Sequence, residues 1–167
     1  MRGLICVVVA MVAGCASSEE ANVGEKSGTE DSLVIRTDFS DDAAWDAICA
    51  AIRKPATEFQ FKAHVKFLSD PNYDGLTPAE LWPQVAKRPR YHSFFFIVDR
   101  QTLTDPDHPI LVVALHDRPG RSFRVIPSAM WDVENNLSIA NVDFDDYLSS
   151  LDKNGVYRGA PGLQGKP

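Results

Sequence analysis

Three aspartates, Asp38, Asp70 and Asp99, each follow an apolar run of strand length. Carboxylates gathered at strand ends are hard oxygen donors of the kind that hold magnesium or calcium. If the strands ahead of them run parallel, all three lie at one edge of a sheet, where open α/β sheets bind ligands, and Asp105 and Asp107 add to the same rim. Aspartate at such junctions also starts turns and caps helices, which is the simpler reading of the rim. A second group belongs to the other end of the sheet. Pairing Phe94–Val98 with Ile110–Leu115 in a hairpin brings His92 towards His116 and Asp117, with Arg118 and Arg121 in the adjoining turn. A histidine pair with a carboxylate can bind zinc or pass a proton. No H-E-x-x-H, paired C-x-x-C, G-x-S-x-G or Walker loop accompanies these residues, so exposed strand-end histidines are the simpler reading here too. His108, in DPDHP, reads as a loop residue, and no motif in the chain implies a cofactor.

The densest polar stretch is WDVENNLSIANVDFDDY, Trp131 to Tyr147, with eight Asp, Glu and Asn side chains in seventeen residues. A calcium loop of the form D-x-[DN]-x-[DN]-G would need a glycine that DFDDYL lacks. Local structure accounts for most of these acids. A short helix after Pro127 ends near Asn135 and Asn136, which turn the chain, and Leu137 and Ile139 return to the core. Asp143 then caps a second helix, Asp145 and Asp146 sit at the positive end of its dipole, and Phe144, Tyr147, Leu148 and Leu151 form its buried stripe.

The elements that position these groups follow from periodicity. Leu33-Val34-Ile35 is a short strand, and SDDAAWDAICAAIRK sets Trp45, Ile48, Cys49 and Ile52 on one helical face, with Ser40 as N-cap and Pro55 as the stop. Cys49 on that stripe is a small core hydrophobe. Phe59 to Phe67 alternates apolar and polar residues, predicting a strand with His64 on its wet face. Thr77-Pro78-Ala79-Glu80 combines an N-cap, a first-turn proline and a glutamate at the third position, so a helix starts there. Phe94–Val98 and Ile110–Leu115 are unbroken apolar runs expected to be central strands, and Arg118-Pro119-Gly120-Arg121 turns the chain into Ser122–Ile126. The expected fold is one α/β or α+β domain, residues 32–158, with a mixed sheet of about five strands and helices packed on it.

A chain of 167 residues that is 44% hydrophobic has enough apolar material for one real core. Its net charge of −6 repels phosphate backbones, so no nucleic acid is expected as a partner, while a basic protein would suit the acidic surface. The N-terminus carries an address. MRGLICVVVAMVAGCASS places one arginine before an apolar run too short to span a bilayer, followed by small residues around a cysteine. Residues 1–14 are expected to be a signal peptide, and residues 15–31 a flexible tether, because Ala16 to Asp31 has almost nothing to bury. Gly159 to Pro167, rich in glycine and proline, is the expected loose tail.

Val12-Ala13-Gly14-Cys15 resembles the lipobox of bacterial lipoproteins, with valine where leucine is commonest. The resemblance implies cleavage before Cys15, lipid on that cysteine, and a domain anchored to a membrane on the exported side of the bacterial cell envelope. LVIRTDFSDDAAW and ENNLSIANVDFDDY, with YDGLTPAELW and DPDHPILVVALHD between them, resemble a family of bacterial domains that carry no assigned function. That resemblance covers roughly Leu33 to Gly159. It implies a shared fold and brings no catalytic residues. Two functional readings follow: a membrane-anchored protein- or ligand-binding module, or a metal-dependent or acid/base hydrolase using the aspartate rim or the histidine pair. An envelope structural protein is a third, and it would show a broad exposed apolar patch.

Overall fold

Apolar side chains occupy both faces of the central strands because helices cover the sheet from both sides. The structure is a computed structural model and describes residues 31–56, 60–87, 93–116 and 120–160. In chain order the elements are β1 (Ser32–Arg36), α1 (Asp42–Arg53), β2 (Val65–Leu68), α2 (Pro78–Ala86), β3 (Phe94–Val98), α3 (Arg100–Thr104), β4 (Ile110–Ala114), β5 (Ser122–Val125), α4 (Met130–Ser138), α5 (Phe144–Ser149) and β6 (Val156–Tyr157). Single 3₁₀ turns at Pro71–Tyr73 and Pro127–Ala129 lead towards α2 and α4.

The strands form one sheet in the order β2-β1-β3-β4-β5-β6. β1 pairs in parallel with β2 and β3, β3-β4-β5 is an antiparallel meander, and β6 adds in parallel to β5. The domain is of the α+β class with a mixed sheet, as expected, and has six strands where about five were predicted. On one face Val34, Phe94, Phe96 and Val112 pack against Trp45, Ile48 and Ile52 of α1 and Met130 and Val133 of α4. On the other, Ile35, Phe95, Ile97 and Val113 pack against Leu81 and Val85 of α2.

Several local expectations change. Asp41, not Ser40, caps α1: its carboxylate accepts the Ala44 N–H at 2.9 Å, while Ser40 donates to Asp38. Of the strand expected from Phe59 to Phe67, Phe59 lies outside the described residues, Gln60 takes φ +61°, outside the extended region, and the strand runs Val65–Leu68. Phe61, 46% exposed, stacks on Trp131 at 5.0 Å instead of entering the sheet face. α4 continues through Asn135 and Asn136, and Ile139 beyond it is 60% exposed, not a core residue. The reciprocal Thr77–Glu80 capping box of α2 and the N-cap of α5 at Asp143 are as expected. Cys49 is buried, and burial pushes its thiol up to about 11, as suits an inert core residue.

Candidate functional site

The strand order reverses between β1 and β3, with α1 on one face and α2 on the other, so the carboxyl ends of these two strands form the crevice in which open sheets commonly bind ligands. Here the chain fills that crevice with its own bonds. Thr37 N donates to Val98 O at 3.0 Å, and Gly75, at φ +70°, reaches back to donate to Thr37 O at 2.9 Å. Arg36 is 3% exposed. Its guanidinium donates from Nε to Asp38 O at 2.9 Å, stacks over Phe39 with a 4.3 Å centroid distance, and reaches Asp42 at 2.8 Å, off the geometry of a hydrogen bond.

The aspartates of the expected rim are each engaged by groups of the fold itself. Asp38 accepts from the Ser40 hydroxyl and N–H, and the hydroxyl bond leads the interactions that hold its carboxyl below the ordinary range. Asp70 caps the first 3₁₀ turn through Asn72 N at 2.9 Å. Asp99 caps α3 through Thr102 N and takes both Arg124 nitrogens, at 3.1 and 2.6 Å. Burial pushes the Asp99 carboxyl up, but the hydrogen bonds and charge of Arg124, with those of Thr102, outweigh it and hold the group below its usual range. Asp105 accepts from Asp107 N, and Asp107 pairs with Arg158 at 2.8 Å. Among the described residues no three His, Cys, Asp or Glu side chains are placed to hold a metal ion, so Asp38, Asp70 and Asp99 do not converge on one. His108, with φ +47°, turns Nδ1 to the Thr102 carbonyl at 2.8 Å and is a loop residue as expected.

The open site is at the other end. A cleft of about 460 Å³ lies beyond the end of β4 and the start of β5, walled by the chain that joins α4 to α5. His116 and Arg121 line its sheet side together with Ser93 and Ala114. Leu137, Val142 and Phe144 give it an apolar wall, and Asp143 and Asp145 bring carboxylates opposite the basic side chains. Arg121 pairs with Asp145 and lies 5.8 Å from the Phe144 ring centroid. His116 is exposed; His92 and Asp117, its expected partners, lie outside the described residues, as does Arg118.

The polar stretch from Trp131 to Tyr147 thus builds one wall of the cleft, mainly through Leu137, Val142 and Phe144 and through caps whose second role the residue types do not advertise. The sequence signal for the wall was the mixture itself, apolar residues at helix positions interleaved with acids at a helix start. Its other buried acids tie α4 down. Glu134, 3% exposed, accepts from Ser32 Oγ at 2.9 Å, His64 N at 3.0 Å and Ser138 Oγ at 2.9 Å. Asp132 takes the Tyr157 hydroxyl at 2.5 Å and Asn136 Nδ2 at 2.8 Å. Neither buried acid was singled out as a candidate site from the sequence, because only tertiary pairing marks them.

Fold and cleft together define a small mixed-sheet domain with a pocket at one end of its central strands. The chain belongs to a family described as a domain of unknown function, DUF6924, which matches residues 31–160 and so covers the whole described domain. This agrees with the expectation of a family without an assigned function. No curated protein matches the chain.

Proposed function

We propose that this protein is a binding module, held on the exported side of a bacterial membrane through lipid on Cys15, whose ligand enters the cleft beside His116 and Arg121. The observation that supports the binding half is the cleft. Its volume of about 460 Å³ lies in the range of small-ligand sites, and it presents an apolar wall with a few charged groups at fixed positions, the usual make-up of such sites. A ligand that suits it is amphipathic, with an apolar part against Val142 and Phe144 and a polar part facing His116 and Arg121. An acid/base hydrolase through His116 is the second reading, since His116 lines this same cleft.

The anchoring half rests on Val12-Ala13-Gly14-Cys15 after the short apolar run. Among the described residues no helix is long and apolar enough to cross a membrane. Acyl chains add about 0.8 kcal/mol of membrane attachment per buried methylene, so a multiply acylated Cys15 holds the domain without one. Metabolic labelling with a fatty acid tests it: the parent takes up label and Cys15→Ser does not, and equal labelling of both ends the lipobox assignment. For the cleft, Ser93→Trp narrows the mouth from an exposed position. Amphipathic compounds that raise the melting temperature of the parent should leave that variant unmoved. A compound turned over by the parent and untouched by His116→Gln would move the reading to hydrolysis.

A further inference from the structure

Of the two buried carboxylates on α4, Glu134 meets three donors of the fold itself, whereas Asp132 borders an opening of about 170 Å³ between α4, α5 and β6. Asp132 is 7% exposed. Its Oδ2 accepts from Tyr157 OH at 2.5 Å and its Oδ1 from Asn136 Nδ2 at 2.8 Å, while Tyr147 OH donates to its backbone carbonyl at 3.1 Å. All three donors are neutral. Among the described residues no Lys, Arg or His forms an ion pair with Asp132. A carboxylate has about four acceptor positions and two are used here. Asp146, whose Oδ2 accepts the Asp143 N–H, lines the same opening, so two carboxyl side chains border it, and among the described residues neither is in an ion pair.

The walls narrow the chemistry further. The Tyr147 and Tyr157 rings meet edge to face, 5.0 Å apart and 87° inclined, and Val142 closes another side. Buried carboxylates are stabilised by a cation, and aromatic walls favour a weakly hydrated organic cation over a hard metal ion. An opening of about 170 Å³ takes a group of a few heavy atoms, not a large ligand. We infer that the niche formed by Asp132, Tyr147, Tyr157 and Asp146 binds an ammonium group, primary or methylated, as carried by a small amine or a lysine side chain. The site is separate from the cleft beside His116, although Val142 contributes to both.

The test is a calorimetric titration of the full chain in detergent micelles with methylammonium chloride and with the amide-capped lysine derivative, against sodium chloride at equal ionic strength. Tyrosine difference absorbance is recorded in parallel. Saturable binding of methylammonium with a change in the tyrosine spectrum is the expected result. Binding of the lysine derivative, lost when its side-chain nitrogen is acetylated, assigns the group to lysine; binding of methylammonium alone assigns it to small amines. Asp132→Asn should weaken binding by about tenfold or more, since it removes one partner of a buried charge pair. Ser150→Lys, at an exposed residue lining the niche, supplies a tethered ammonium and should abolish binding of the free one. If Asp132→Asn does not fold, the Ser150→Lys comparison decides alone. A response to methylammonium no larger than that to sodium, or equal affinity in the parent and Ser150→Lys, overturns the assignment.

Discussion

Asp99 shows what a single carboxylate does in this domain. It closes β3, caps α3 and receives a two-point guanidinium contact from Arg124, which also donates to Pro109 O at 2.8 Å. Removing it takes the carboxylate away from Arg124, which keeps only Pro109 O and Thr102 Oγ1, and leaves the Thr102 N–H in the first turn of α3 without its cap. Because 28% of its side chain remains open to solvent, the loss is smaller than for a fully buried pair. Asp99→Ala should cost about 2–3 kcal/mol, read as a lowered denaturant midpoint. The folded carboxyl titrates below its ordinary 3.8, so its contribution is complete above that value and is lost as pH falls through the depressed one. The parent should therefore lose more stability than Asp99→Ala on acidification below about pH 4. At this scale the sequence made Asp99 legible as a strand-end acid. Arg124, 25 residues on, was not legible as its partner, because that pairing depends on the register of two antiparallel strands and the return of a third.

α4 is the element that ties the edges of the sheet together. Glu134 binds the starts of β1 and β2 through Ser32 and His64, while Asp132 binds β6 and α5 through Tyr157 and Tyr147. Glu134→Ala would leave the Ser32 hydroxyl and the His64 N–H without their acceptor, and should destabilise the domain by about 3–5 kcal/mol; Glu134→Gln, which keeps one carbonyl oxygen, should cost clearly less. Thermal melts rank the two, and faster exchange of the His64 amide in Glu134→Ala places the loss at β2. Long apolar runs and capping signals made β1, α1, α2, β3, β4 and β5 readable in advance. β6 has two residues and α3 has five, too short to show a period, and β6 is held by its pairing to β5. The candidate cleft was half legible: His116 and Arg121 were marked by type and turn position, but the wall from Leu137 to Asp145 read as helix and caps alone.

For the whole molecule, the sheet divides the domain into a crevice end closed by its own hydrogen bonds and an opposite end that carries the cleft. Its stability should be asymmetric in pH as well. Burial and then the charge of Asp132 raise the Tyr147 phenol above the ordinary 10.0, and burial, then the hydrogen bond and charge of Asp132, raise that of Tyr157. That contribution is complete below pH 10.0 and is lost as pH rises towards the folded-state values, because the unfolded chain releases protons that the folded domain keeps. The denaturant midpoint should fall above about pH 10, and less steeply in Tyr157→Phe, which has one such phenol fewer. The proposed binding place of this domain is the cleft beside His116. A backbone amide shift map of the isotopically labelled full chain in micelles, titrated with amphipathic fragments, tests it most directly. Binding there gives saturable shifts at Ser93, His116, Arg121, Val142 and Phe144 that Ser93→Trp abolishes. Saturable shifts confined to the Asp38–Asp99 end, unaltered by Ser93→Trp, would contradict it.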